Sequence, residues 1–170
     1  DHWRTALADL PDQLDLPSDR PRPAVATNRG ESFVFDIDAD VHRAVTDLAH
    51  GTNTTPFMVV HSALAVLLAR LSGTADIAIG TPIAGRGHEA LDDLVGMFVN
   101  TLVLRTGIDG GESFRTLLTR VKDIDLSAFG NADVPFERLV EVLDPPRSQA
   151  RHPLFQVMLT MQNFEQPKFE

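Results

Sequence analysis

Cysteine is absent from the 170 residues. That excludes a disulfide scaffold, thiol chemistry and a thiolate metal site. Lysine occurs only at Lys122 and Lys168, and the other basic side chains are arginine, a hint of a GC-rich bacterial genome and no more. Positive charge is scarce: 15 Lys+Arg face 24 Asp+Glu, for a net charge of −9. A field of that sign repels phosphate backbones, so nucleic acid is not an expected partner. Long apolar runs are missing too. The most apolar stretch lies between Pro56 and Gly73 and still contains His61 and Arg70. It is shorter than the roughly 20 apolar residues a spanning helix needs. Asp1-His2-Trp3-Arg4 lacks the basic start and apolar core of a signal peptide. We expect a soluble, cytoplasmic chain with no membrane partner. Hydrophobic residues at 43% and charged residues at 23% exclude disorder. The length suits one domain or one lobe of a larger one.

The periodicities alternate between helix and strand. Trp3, Leu7 and Leu10 have helical spacing with no cap before them, so the tail of a longer helix is expected. Pro11, Pro17, Pro21 and Pro23 then predict an extended connection over 11–30. Phe33, Phe35 and Ile37 alternate and predict a strand over 32–38. Asp40 is the expected cap of a helix carrying Val41, Ala44, Val45, Leu48 and Ala49. Thr55-Pro56 opens the next helix and Gly73 closes it. That helix is apolar nearly all round and should lie at the centre. Further strands are expected over 76–80, 97–105 and 154–162, the first running into a turn from Thr81 to Gly87. A short helical patch is expected over 89–94, and an amphipathic helix through Phe114, Leu117, Leu118, Val121 and Ile124. A last helix, capped by Asp133, carries Phe136, Leu139, Val140 and Leu143. The fold class is α/β, a mixed sheet packed with helices. Four strands would leave an open sheet edge, so the lobe is expected to continue into more sheet.

The chemistry-bearing residues form no complete catalytic set. Gly80 and Gly85 have the gap of a phosphate loop, but Arg86 stands where lysine is required and Gly87 where a hydroxyl is required. A strand-exit turn, where backbone passes close to something, fits the glycine segment from Gly80 to Gly87 better. His88 and Asp92 have a spacing that helix surfaces produce by chance. His2, His42, His50, His61 and His152 lack companions at metal-ligand spacing, so no metal site is expected. His61, on an apolar helix, reads as a hydrogen-bonded core residue. No serine sits in a G-x-S-x-G elbow. Asn100 shares a strand face with Phe98, Leu102 and Leu104. A buried amide left unpaired costs roughly 1–3 kcal/mol. Either Asn100 caps neighbouring backbone, or it faces a wet channel and touches substrate.

Several ordered motifs resemble one family. Residues 95–105, from Val95-Gly96 through Phe98-Val99-Asn100-Thr101 to Arg105, are similar to the GxFVNTLxLR motif of condensation domains in nonribosomal peptide synthetases. Asp133-Val134-Pro135-Phe136-Glu137-Arg138-Leu139-Val140 resembles their QDxPFExLV motif, with Ala132 where the family carries glutamine. Pro153-Leu154-Phe155-Gln156-Val157-Met158 resembles PLFQVM, and Gly80-Thr81-Pro82, Gly85-Arg86 and Trp3-Arg4 also fit in order. The resemblance implies one lobe of a two-lobed fold like that of chloramphenicol acetyltransferase. Between the lobes runs a tunnel for two phosphopantetheine arms. It implies amide formation between groups carried as thioesters. The family's catalytic motif, HHxxxDG, lies on the N-terminal lobe, and no adjacent histidines occur here.

The resemblance therefore implies a C-terminal lobe over 31–170, preceded by the end of an inter-lobe helix and a linker over 1–30. No catalytic residue is expected in this chain, which alone should be inactive. Asn100, Phe98, Gly80, Thr81 and Pro82 would line the tunnel, and Arg86 and Leu94 would bridge between lobes. Gly96, Asp133, Pro135, Phe136, Arg138, Phe155 and Gln156 would be structural. No cofactor would be bound directly, because phosphopantetheine arrives on carrier proteins. The implied partners are the N-terminal lobe, donor and acceptor carrier proteins and a neighbouring adenylation domain, with self-association through an exposed inter-lobe face. Two other readings use the same fold: a module that has lost its chemistry and recruits a partner enzyme, and an epimerising or ester-forming relative.

Overall fold

The structure is a computed structural model that describes residues 1–84 and 94–162. It is built from α1 (His2–Ala6), α2 (Ala39–Gly51), α3 (Pro56–Ser72), β1 (Asp76–Ala84), β2 (Val99–Gly107), α4 (Phe114–Phe129), α5 (Phe136–Leu143) and β3 (Val157–Met158). The sheet order is β2-β1-β3. β1 and β2 pair antiparallel along their full lengths, from Asp76 opposite Gly107 to Ala84 opposite Val99. β3 runs parallel to β1, with Val157 opposite Ile79 and Met158 opposite Gly80. The sheet is therefore mixed, in line with the fold that the family resemblance implies.

The helix ends follow local chemistry. The Thr55 hydroxyl accepts from the Met58 N–H at 3.2 Å, and Pro56 occupies the first turn of α3, where its missing N–H is harmless. Gly73 ends α3 with φ +71°, a left-handed conformation that glycine adopts without strain. Ser113 caps α4 in the same way as Thr55 caps α3. The cap of α2 is Asp38, not Asp40: its carboxylate accepts from the N–H groups of Asp40 and Val41. Asp40 instead lies in the first turn, where a negative charge also suits the helix dipole.

Three clusters make the core. Ala65 and Leu68 of α3 cover Ile77 and Ile79 of β1. Ala49, Met58, Val59, Leu117, Leu118 and Val121 join α2, α3 and α4. Trp3 and Leu7 pack with Leu102, Val103, Leu104, Ala128, Leu139, Leu154 and Phe155. Helix α3 is less central than its composition predicts. Leu67 and Leu71 remain about half exposed, because α2, α4 and β1 cover its other faces.

The strands depart from expectation in three places. Residues 32–38 form no strand: Phe33, Phe35 and Ile37 are exposed, and no described strand pairs with them. Alternation marks a segment able to pair, but a strand exists only with a partner. β1 runs past Gly80 through Pro82 to Ala84 instead of turning. Proline lacks only a donor, and β3 pairs with β1 at Ile79 and Gly80 alone, so no described neighbour needs an N–H from Pro82 on that side. Finally, β3 is much shorter than 154–162. Leu154 has φ +66° and the Phe155 N–H donates to the Pro153 carbonyl at 2.9 Å, a tight turn that delays pairing until Val157. The expected helical patch over 89–94 lies, except for Leu94, outside the described residues. Among the described residues no single helix is long and apolar enough to cross a membrane.

Candidate functional site

An open cleft of about 530 Å³ lies where β1 ends and β2 begins. Ile83 and Ala84 of β1, residues 97–100, and Ala132, Asp133, Pro135 and Glu137 line it. Two of the segments singled out by motif, 95–105 and 133–140, meet here.

Asn100 joins them. Its Nδ2 donates to the carbonyls of Ala132 at 2.8 Å and Val134 at 3.0 Å. Its Oδ1 accepts from the N–H groups of Phe136 at 3.0 Å and Thr101 at 2.8 Å. Two donors and two lone pairs are all that a side-chain amide has. Asn100 therefore lines the cleft while its whole hydrogen-bonding capacity serves backbone. It also takes over a role expected of Asp133. Helix α5 starts at Phe136, its N-cap position is Pro135, and no side chain from that position caps it. Pro135 is extended, with φ −60° and ψ 144°, so the helix cannot begin at Asp133. The first free N–H of α5 is capped across the fold by Asn100, and exposed Asp133 faces the cleft.

Gly80, Thr81 and Pro82 are not brought into the cleft. Gly80 and Thr81 are buried within β1, and Pro82 is half-buried opposite Thr101. Gly80 has a specific reason to be glycine: a Cβ there would stand 2.4 Å from the Phe155 ring. Gly80 is therefore not part of a strand-exit turn; it lies within β1 and is approached there by Phe155. That ring packs edge-on against Phe136 and lies 4.4 Å, centroid to centroid, from His152. Gln156 ties the same segment to the N-terminal connection, accepting from the Leu14 N–H at 2.7 Å and donating to the His152 carbonyl at 3.1 Å. Gly96 sits close under Phe98, whose ring is 3.0 Å from the position of a Cβ. Arg138 is exposed and paired with Glu141. Leu94 is half exposed. Arg86, like His88 and Asp92, lies outside the described residues.

Two arginines brace the sheet. Arg105, the last residue of its motif, grips Asp76 with two parallel bonds of 2.9 and 2.7 Å and donates to the carbonyls of Ala6 and Ala8. It thereby holds the end of α1 against the sheet. The bond to Asp76 holds its guanidinium above the usual arginine range. Arg120 pairs with Glu112 and donates to the Gly107 carbonyl at 2.7 Å. The bond from Arg120 holds the Glu112 carboxyl below its ordinary range.

One polar group escaped sequence reasoning. His61 is fully buried and hydrogen-bonded, as expected, but its partner is Asp125, also fully buried. The imidazole Nδ1 lies 3.0 and 3.2 Å from the carboxylate oxygens, and Nε2 lies 3.5 Å from the Thr106 hydroxyl. The buried stripe of α4 runs Leu117, Leu118, Val121, Asp125, Ala128, whereas the sequence reading drew it through Ile124. Continuing the 3.6-residue period strictly would have reached Asp125. Among the described residues no group of three His, Asp or Glu is placed to hold a metal.

The mixed sheet and its covering helices make an α/β unit with an open cleft at the strand ends. The chain belongs to the condensation domain family, whose model matches residues 1–170. It is 53% identical over 161 residues to a dimodular nonribosomal peptide synthase of Bacillus subtilis, covering 95% of this chain and 7% of that one. Its fold matches a four-domain nonribosomal peptide synthetase bound to AMP and glycine with a TM-score of 0.93 at 32% identity, over 95% of this chain and 12% of the other. It matches the X-domain from teicoplanin biosynthesis with a TM-score of 0.87 at 31% identity, over 92% of this chain and 35% of that one. The chain thus spans a small part of each protein it resembles.

Proposed function

We propose that this chain is the C-terminal lobe of a condensation domain that joins two carrier-bound groups through an amide. Residues 1–30 serve as the end of the inter-lobe helix and linker, and 31–170 as the lobe. An amine on the acceptor's phosphopantetheine arm attacks the thioester carbonyl on the donor's arm. The C–N bond forms, the C–S bond breaks, the donor thiol leaves, and the amine's proton passes to a group outside this chain. Aminolysis of a thioester is downhill, so holding both reactants in line supplies much of the rate. The lobe's part is positional: it forms one side of the tunnel, in the cytoplasm, with carrier proteins and an adenylation domain as partners. Alone it is inactive.

The observation that carries this reading is the cleft shared by two family motifs, with Phe98 and Asn100 on one side and Asp133 and Pro135 on the other. Asn100 shapes that wall from behind, because its amide is fully engaged with backbone. Gly80, Thr81 and Pro82 support it from β1, and the segment that ends at Leu94 is assigned, by its place between the two motif strands, to bridging towards the facing lobe. The test is Phe98→Ala in the intact two-lobed domain supplied with loaded carriers. Misplacing a reactant slows transfer steeply, so product formation should fall about ten-fold while the domain stays folded at the assay temperature, as its melting temperature checks. An unchanged rate removes the cleft from the reaction path.

A second reading is recruitment of a partner enzyme without chemistry. It is favoured by the likeness to the X-domain, which is also described in complex with OxyB, where the match has a TM-score of 0.86. Amide formation by the intact domain separates the two.

A further inference from the structure

The loop that walls the cleft is tied to the interior by a group the proposed chemistry does not use. His61 of α3, Asp125 of α4 and Thr106 of β2 are fully exposed to one another and to no solvent. Apolar side chains of similar size would bury as well, and a buried polar pair is weak evidence of stability. Its best-attested benefit is register. Beside this pair the two helices meet through Met58, Val59, Leu117, Leu118 and Val121, which are apolar. Such a surface tolerates a slip along the helix axis, and a polar pair that must meet does not.

The position of Asp125 is passed to the cleft through continuous structure. Asp125 stands four residues before the end of α4. From there Gly130 N–H donates to Leu126 O at 2.9 Å, Asn131 N–H to Ala128 O at 3.1 Å and Ala132 N–H to Phe129 O at 3.3 Å. The Ala132 carbonyl then receives Asn100. Phe57 doubles the tie: its ring lies 6.1 Å from His61 and 6.3 Å, edge-on, from Phe129 in the last turn of α4. Trp3 holds the same loop from the α1 side, donating to the Asn131 carbonyl at 3.0 Å.

We infer that His61 and Asp125 are positioning residues that set the register of α4 and thereby the place of the 130–136 loop in the cleft wall. The inference rests on the cleft being part of the substrate tunnel. Its test is hydrogen–deuterium exchange on the intact condensation domain, comparing the peptide covering 130–136 with that covering 40–46 at the exposed start of α2. In the double variant His61→Leu/Asp125→Leu, which fills the site with apolar volume, exchange in 130–136 should rise about ten-fold while 40–46 stays unchanged. The KM for one of the two loaded carriers should rise with kcat changed less than about two-fold. Asp125→Asn keeps the size and an acceptor for His61, so it should restore both readouts most of the way to wild type. Equal acceleration in both peptides, no acceleration in 130–136, or a conservative variant as impaired as the double one overturns the inference. If the double variant fails to fold, His61→Asn is compared with Asp125→Asn by the same two peptides and the same criterion. Should the wild-type domain form no amide, the functional reading fails while the exchange result still decides the positioning role.

Discussion

Replacing Asn100 with alanine removes four hydrogen bonds at once. The carbonyls of Ala132 and Val134 and the N–H groups of Thr101 and Phe136 all lose their side-chain partner. A net contribution near 1 kcal/mol each would give about 4 kcal/mol, but the cleft is open and Asn100 is half-buried, so water recovers part of it. A loss of roughly 2–3 kcal/mol is expected, which for a chain of this size lowers the melting temperature by roughly 5–10 °C. Asn100→Asp is the sharper probe. It keeps an acceptor for Phe136 and Thr101 but turns a carboxylate on two carbonyls, so it should destabilise at least as much as alanine. Urea unfolding of the three chains, read by far-UV circular dichroism, gives the comparison. An aspartate variant within about 0.5 kcal/mol of wild type would refute the clamp, since that is the scatter of ordinary surface changes.

Gly80→Ala drives a methyl group into the Phe155 ring and should destabilise by about 1–3 kcal/mol, the usual range for overpacking. Adding Phe155→Leu should recover part of that loss in the double variant, and independent, additive effects would count against the contact. The Glu112 carboxyl is held below its ordinary 4.5 by Arg120. A lowered folded-state pKa contributes stability that is present above the ordinary value and lost as pH falls through the lowered one. Wild type should therefore lose stability more steeply than Glu112→Gln below about pH 4.5 in urea titrations, and parallel curves would contradict the pairing. The exposed run Phe33, Val34, Phe35 and Ile37 should drive concentration-dependent self-association of the chain. Sedimentation should show it, with Phe33→Ser/Phe35→Ser abolishing it; a monomer at high concentration would rule it out.

What the sequence shows depends on whether the cause is local. Helix α3 is legible because Thr55 and Gly73 act within a turn of themselves, and α4 because its apolar residues keep a helical period. The segment 32–38 is misread because alternation describes a face and says nothing of a partner. The cap of α5 is misassigned to Asp133 because the true cap, Asn100, lies 36 residues from the N–H it serves. The turn read at Gly80 is continuous strand, and only the fold shows that its glycine makes room for Phe155. Asn100 is visible as a buried amide with two open roles, and its geometry engages every donor and acceptor it has. The Asp125 partner of His61 was within reach of a stricter period. The motifs carried the family assignment, which composition and periodicity alone did not.

The central proposal is that this chain walls an amide-forming site whose proton acceptor lies on the facing lobe. The most direct measurement is mass-spectrometric detection of the amide product, with loaded donor and acceptor carriers supplied to the intact two-lobed domain and, separately, to this 170-residue chain. The account predicts product from the intact domain and only the background of buffer from the chain. Product from the chain alone, or none from the intact domain, would contradict it.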